Sequence, residues 1–80
     1  MLVVCYDIQK TKIRTKVADV LSDSGFFRVQ KSVFEGDRPA KTVNRMKADI
    51  KKLLGREDQV RYYTICNRCL LEVEINGKES

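Results

Sequence analysis

The sequence predicts a small α+β domain in which two helices cover one face of an antiparallel sheet. Three observations point to this class. The chain opens with an apolar run of strand length, two later segments carry apolar residues at helical spacing, and the segments between them are short and rich in β-branched and aromatic residues. We expect a single domain over residues 1–80.

The first strand and the first helix are the clearest elements. Leu2 to Ile8 is predicted as a strand, because its apolar run has the length of a buried central strand. Thr11 to about Ser24 is predicted as an amphipathic helix that stops at Gly25. Its apolar face is Ile13, Val17, Val20 and Leu21, at spacing i, i+4, i+7 and i+8.

A second helix is predicted in the middle of the chain. Asp37 and Pro39 mark its start, with Asp37 as the cap and Pro39 in the first turn. The helix is predicted to run to Leu54 and to stop at Gly55. Its inward-facing residues are Val43, Met46, Ile50, Leu53 and Leu54.

Three further segments are predicted as extended. Residues 26–36 are long for one strand and short for a hairpin, so we expect a kink or a tight turn at Lys31 and Ser32. Gln59 to Cys66 is predicted as a strand, and residues 70–75 as a short final strand in which apolar and acidic side chains alternate.

The order of these elements is that of the split βαβ, or ferredoxin-like, fold: βαββαβ with an extra C-terminal strand. Both helices then lie on one face of the sheet, so the other face is either wet or covered by something else. The extra strand at about 70–75 is a candidate for pairing with a sheet edge, its own or that of a partner subunit.

The size of the chain favours association. A domain of 80 residues has a thin core, since it buries only about 60–65% of its unfolded surface. The hydrophobic fraction of 42% is nevertheless too high for a disordered chain. We therefore expect a homodimer that hides the remaining apolar surface.

Composition and charge exclude several classes of protein. No stretch has the length of a membrane span, and the opening run lacks the features of a signal peptide. Three cysteines do not make a disulfide framework, so a cytoplasmic location is expected. The net charge is +5, and residues 9–16 hold four positive charges and no acid. One end of the molecule should therefore be positive.

Asp7 is the first candidate site residue, because it ends an apolar strand beside this positive charge. It could cap the following helix or pair with Lys10. It could also ligate magnesium, which typically needs only one or two protein carboxylates. One Asp per chain would suffice if a two-fold axis brought two copies together. The chain has no His, so a phosphodiester hydrolase built here would depend on water activated by a metal.

Four cations near the start of the first helix form a candidate phosphate-binding cluster: Lys10, Lys12, Arg14 and Lys16. The helix dipole disfavours positive charge at this end, by roughly 0.3–1 kcal/mol per exposed charge. Phosphate is the natural recipient of such a cluster. The alternative is a merely solvated face. Spacing predicts that Lys10 and Arg14 share one side of the helix and Lys12 and Lys16 another.

For two other groups of residues, a structural role is favoured over a functional one. The cations of the second helix, diluted by acids, are predicted to form a solvated face. Cys66 and Cys69 have the spacing of half a zinc site, but only Cys5 remains as a further ligand. We interpret them as structural thiols at a strand end, with zinc shared across a dimer as the alternative.

The chain resembles the CRISPR-associated protein 2 family, the smaller of the two general CRISPR adaptation proteins. The resemblance comprises Val4 to Ile8, Arg14 in a basic helix entry, Arg28 to Gly36, Val60 to Tyr63, and Cys66. These pieces occur in order, at family-like spacing, over nearly the whole chain. The resemblance implies a ferredoxin-like homodimer whose sheets stack face to face.

The resemblance also implies a site and a role. Asp7 from both subunits would hold Mg²⁺ or another divalent cation and act as the metal and catalytic residue, while Arg14 and Arg28 would contact phosphate or support the site. The family is described as metal-dependent endonucleases acting on RNA or DNA. It is also described as the scaffold on which the CRISPR integrase holds duplex DNA. The C-terminal strand would add to the other subunit or engage the integrase.

One departure from the family pattern affects the expected function. Many members carry a further acid shortly after the first strand, where this chain has Gln9, Lys10 and Thr11. This loss of negative charge favours phosphate binding over metal binding, and scaffolding over hydrolysis. A different function is an RNA-recognition module of the same fold, which stacks bases on exposed aromatic residues of the two central strands. Ser24 to Val29 fits the aromatic motif of such modules poorly.

Overall fold

The computed structural model describes residues 1–66, which form four strands and two helices in the predicted βαββαβ order. The elements are β1 (Leu2–Asp7), α1 (Thr11–Asp23), β2 (Phe27–Gln30), β3 (Val33–Gly36), α2 (Ala40–Leu53) and β4 (Gln59–Thr64). All neighbouring strands are antiparallel, in the order β2-β3-β1-β4. The ferredoxin-like prediction is confirmed for this part of the chain. The predicted strand at 70–75 lies outside it.

β1 is a central strand, as its apolar run predicted, and the register determines which of its side chains are buried. Val4 pairs with Phe34 of β3 on one side and with Tyr62 of β4 on the other. Because side chains alternate along a strand, Val4 and Tyr6 face the helices and are buried. Cys5, which lies between them, and Asp7 face the other side of the sheet.

The core lies between the sheet and the two helices. Its buried members are Val4, Tyr6, Ile8, Val17, Ala18, Leu21, Phe26, Phe34, Met46 and Ile50. The predicted apolar faces of both helices are confirmed, although several of their members at the edge of the core are only partly buried. Neither of these helices is long and apolar enough to cross a bilayer, and no other helix occurs within residues 1–66.

Residues 26–36 form a hairpin, with the predicted tight turn at Lys31 and Ser32. Tyr6 attaches this turn to β1. Its backbone N–H donates to the Ser32 carbonyl oxygen at 3.0 Å, and its hydroxyl donates to the Lys31 carbonyl oxygen at 3.3 Å. The turn between β2 and β3 is therefore held against the C-terminal half of β1.

The end of α1 agrees with the sequence pattern, but the start of α2 does not. Gly25 has φ +89°, a conformation that favours glycine, and it follows α1 as predicted. The predicted cap of the second helix is wrong, because α2 begins at Ala40 with Pro39 at the cap position and no side chain capping it. Proline restricts the residue before it to extended conformations. Asp37 consequently lies two residues outside the cap.

Gly36 is required for close packing between β3 and the chain that follows α1. A Cβ atom at Gly36 would lie 2.8 Å from the ring of Phe26, which is itself buried. We expect Gly36→Ala to lower the free energy of unfolding by about 1–3 kcal/mol, because the ring has to shift within a packed core. Urea denaturation measures this loss. Gly55→Ala is the control, since its nearest neighbour is the Asp58 carboxylate at 3.3 Å; equal losses would contradict the packing argument.

Candidate metal and nucleic-acid site

Asp7 is exposed at the C-terminal end of β1, on the face of the sheet away from the helices. It pairs in register with Gln59, the first residue of β4. A depression of about 240 Å³ surrounds it, lined by Cys5, Tyr6, Asp7, Gln59 and Arg61. The side chain is therefore open to a ligand from the side of the sheet that no helix of residues 1–66 covers.

Neither structural role proposed for Asp7 is found among residues 1–66. α1 begins after Lys10, at a cap position without a side-chain hydrogen bond, so Asp7 does not cap it. Within the same residues, no ion pair joins the Asp7 carboxylate to Lys10. A charged carboxylate without these partners is free to bind a cation.

Asp7 alone could supply only part of the ligand set of a divalent cation. Within residues 1–66, no group of three or more His, Cys, Asp or Glu side chains is arranged to hold a metal. Magnesium retains several waters and commonly takes one or two carboxylates together with phosphate oxygens. Asp7 therefore suits one ligand position, and the others would come from water, a nucleic-acid phosphate or a second copy of the chain.

Arg61 is a candidate site residue that sequence reasoning missed. It pairs with Cys5 and shares the open face with Asp7, and its side chain lines the same depression. A hydrogen bond with Tyr63 raises the pKa of the Arg61 guanidinium further above the physiological range. Strand alternation from Asp7 through Gln59 would have identified Arg61, but only once the pairing of β1 with β4 was known.

Two predicted cations, Arg14 and Arg28, come together in one cleft. We call this the basic cleft; it has a volume of about 310 Å³ and is lined by Tyr6, Thr11, Arg14, Thr15, Arg28, Lys31 and Ser32. Among residues 1–66, three cations and no acid line it. Lys31 was not predicted as a site residue, because it enters the cleft only through the turn that Tyr6 holds against β1.

The other predicted cations are exposed but lie outside the basic cleft. Lys10 lines a separate depression with Ile13 and residues 55–58. The prediction that Lys10 and Arg14 share one side of the helix is therefore wrong, because Lys10 precedes α1 in an extended conformation. Lys12 and Lys16 are exposed on α1. No acidic residue in the first turn of α1 offsets these charges.

The basic cleft and Asp7 occupy one end of the molecule but opposite sides of the sheet. The cleft is built from α1 and from Arg28, whose partner Phe34 faces the core. Asp7 faces the side away from the two helices. Tyr6 lines both depressions and separates them.

The two cysteines within the described residues are Cys5, which is half-buried, and Cys66, which is exposed beyond the end of β4. Cys69 lies outside this part of the chain. The interpretation as structural thiols therefore stays a prediction, with zinc shared across a dimer as its alternative.

The chain is similar to known proteins of one family. The family model described as "CRISPR associated protein Cas2" matches residues 1–73. The chain is 40% identical over 70 residues to a CRISPR-associated endoribonuclease Cas2 of Methanospirillum hungatei, covering 86% of this chain and 74% of that protein. A second such protein of the same organism is 41% identical over 80 residues, covering 99% of this chain and 88% of that protein.

Solved structures agree with these relatives. The fold matches a hypothetical protein of Thermus thermophilus with a TM-score of 0.84 at 30% identity, over 99% of this chain and 92% of that one. It matches Streptococcus pyogenes Cas2 with a TM-score of 0.82 at 27% identity, over 95% of this chain and 98% of that one. Together with the family match over residues 1–73, these similarities show that the chain belongs to the Cas2 family of CRISPR-associated proteins.

Proposed function

We propose that this Cas2-family chain acts in CRISPR adaptation as a dimer that binds duplex DNA together with the CRISPR integrase. The observation that carries the proposal is the concentration of exposed cations around the end of β1, with no acid in the first turn of α1. Clustered cations that no helix-stabilising role explains favour a phosphate backbone as their partner. We propose the reducing cytoplasm as the location, since the three cysteines of the chain do not make a disulfide framework.

We further propose a metal-dependent endonuclease activity on RNA or DNA, centred on Asp7. Its curated relatives are named endoribonucleases. Asp7 would hold Mg²⁺ or another divalent cation, which lowers the pKa of bound water and supplies a nucleophile for attack on phosphorus. Arg61, in the same depression, is placed to offset negative charge on the phosphate. Lys10 beside the strand end opposes metal binding, so scaffolding is the primary role.

The homodimer proposal is supported by the face of the sheet that neither helix of the described residues 1–66 covers. This face carries Phe27 and Tyr63, which are 73% and 47% exposed, and the half-buried side chains of Val3, Cys5 and Val33. Exposed apolar surface of this kind is typical of an association site. A second copy stacked on it would bury these residues and bring the two Asp7 carboxylates to the same interface.

The alternative of an RNA-recognition module is less well supported. Such modules stack bases on aromatic residues of the two central strands. Here the central strands are β1 and β3, and their open face carries Val3, Cys5, Val33 and Glu35 instead. The exposed aromatic residues lie on the outer strands of the four.

The proposed function is tested by binding and cleavage assays on the same sample, with its molar mass measured by sedimentation equilibrium. We expect twice the subunit mass of 9.3 kDa. Duplex DNA should bind with or without EDTA, because the cations do not need a metal. Cleavage of labelled RNA or DNA should require Mg²⁺ and stop with EDTA. A monomer that binds no nucleic acid would contradict the proposal; binding without cleavage would retain the scaffold and reject the nuclease.

A further inference from the structure

Gln59 is the residue directly opposite Asp7 in the sheet. It is the first residue of β4 and pairs in register with Asp7, the last residue of β1. Side chains paired across antiparallel strands point to the same face, with Cβ atoms about 4.5–5.5 Å apart. Both side chains are exposed and line the same depression of about 240 Å³. Their terminal oxygen atoms can therefore reach a common point in front of the sheet.

The side-chain amide of Gln59 has no partner among the described residues. Within residues 1–66 it makes no side-chain hydrogen bond, and none joins it to the Asp7 carboxylate. If the amide served to hold the carboxylate in place, one of its two N–H groups would donate to Asp7. The exposure of Gln59 also excludes a role in the core. The carbonyl oxygen of the amide is thus available to a ligand beside Asp7.

The positive charges nearest to this pair are directed or placed elsewhere. Arg61 is the next residue of β4 on the same face, and its guanidinium interacts with the Tyr63 hydroxyl. Tyr63 lies on the opposite side of Arg61 from Gln59 along β4. Lys10 lines a separate depression. The end of the depression formed by Asp7 and Gln59 therefore carries one negative charge, and no ion pair within residues 1–66 neutralises it.

A carboxylate and an amide carbonyl are both oxygen ligands, which hard divalent cations prefer. Magnesium binds oxygen at about 2.0–2.1 Å in octahedral geometry and retains several waters, so two oxygens from facing strands suit adjacent positions around it. The thiol of Cys5 lies one pair further from the strand end, opposite Arg61. The pair at the strand end thus favours Mg²⁺ or Mn²⁺ over a metal that prefers sulfur.

We propose that the amide oxygen of Gln59 is a second protein ligand, beside the Asp7 carboxylate, for a hard divalent cation at the end of β1. The inference rests on the proposed metal-dependent activity and adds a residue of β4 to that site. Gln59 takes one of the positions otherwise left to water. Because the amide is neutral, it adds a ligand without adding negative charge, which leaves the cation able to attract a phosphate oxygen. In a dimer each copy would contribute one carboxylate and one amide.

Carbon NMR of the side-chain carbonyl groups tests this directly in the wild-type protein. Mg²⁺ is titrated into the ¹³C-labelled protein without nucleic acid. The Cδ signal of Gln59 should shift saturably, with the same Kd as the Cγ signal of Asp7. Gln30 is an internal control, because it is exposed at the end of β2 and does not line this depression. Its Cδ signal should not shift.

A pair of variants measures the contribution of the amide to affinity. Gln59→Leu removes the oxygen while keeping a side chain of similar size, and should raise the Kd for Mg²⁺ about fivefold, because water replaces a tethered ligand. Gln30→Leu makes the same change at another exposed strand position and should leave the Kd unchanged. The Cγ signal of Asp7 gives the Kd in both variants, so the measurement does not depend on cleavage.

Two kinds of result would overturn the inference, and they affect the proposed function differently. A saturable shift of Asp7 without one of Gln59, or equal Kd values for Gln59→Leu and Gln30→Leu, would reject Gln59 as a ligand and retain the proposed site at Asp7. Absence of a saturable shift at both residues would reject the Gln59 ligand together with the metal-dependent activity. Duplex DNA binding in the presence of EDTA would still preserve the scaffold in that case.

Discussion

Asp7→Asn is expected to abolish divalent-metal-dependent cleavage of RNA or DNA, with a loss of about 100-fold or more. The amide has the size of the carboxylate but lacks the negative charge that a hard cation requires. Because two copies of Asp7 would share one metal, a single substitution removes both carboxylate ligands from the dimer. The rate of cleavage of a labelled substrate at saturating Mg²⁺ measures the effect.

The same variant should leave folding and scaffolding intact. Asp7 is exposed and makes no ion pair within residues 1–66, so the free energy of unfolding should change by less than about 0.5 kcal/mol. Spacer acquisition in cells should also persist if the chain is chiefly a scaffold. Asp19→Asn, at an exposed position of α1, is the matched control. Cleavage by Asp7→Asn at the wild-type rate would exclude this residue from the chemistry.

Simultaneous replacement of Lys10, Arg14 and Lys16 by Gln is expected to weaken duplex DNA binding by about 100-fold near 0.1 M salt. Binding releases fewer counterions from the DNA for each phosphate contact that is lost. The slope of log affinity against log salt concentration should therefore flatten by about one unit per lost contact. Affinity measured by fluorescence anisotropy over a range of salt concentrations gives both quantities. Both changes follow from charge, because all three residues are exposed and their removal opens no cavity.

A charge-matched triple variant distinguishes a specific surface from net charge. Lys41, Lys51 and Lys52 are exposed on α2 and can be replaced by Gln in the same way. We expect this control to reduce affinity only slightly and to leave the salt dependence nearly unchanged. If both triple variants lose the same affinity and the same slope, the surface around α1 is not the binding site.

The sequence pattern predicted the helices and strands and their buried faces well, because these depend on the spacing of residues within one segment. Apolar spacing along α1 and α2 follows from the helical repeat itself, and it identified Val17, Leu21, Met46 and Ile50 as core residues. The start of α2 was predicted less well. Pro39 moves Asp37 away from the helix, and this competes with the preference of aspartate for the cap position.

The sequence predicted only those candidate site residues whose neighbours along the chain indicate their role. Asp7 follows directly from its position after an apolar strand. Lys31 and Arg61 could not be found in the same way. Lys31 reaches the basic cleft through a turn attached to β1, and Arg61 shares a depression with Asp7 through the pairing of β4 with β1. Both arrangements bring together residues far apart in the chain, and local pattern carries no information about them.

The order of strands and helices, the buried side of each helix and the positive charge around the first helix can all be inferred from the amino-acid sequence. These properties depend on the spacing of side chains along a single segment. The folded chain alone shows that Arg14, Arg28 and Lys31 line one cleft while Asp7 faces the opposite side of the sheet. That division depends on strand register, because a shift of one residue would exchange the two faces.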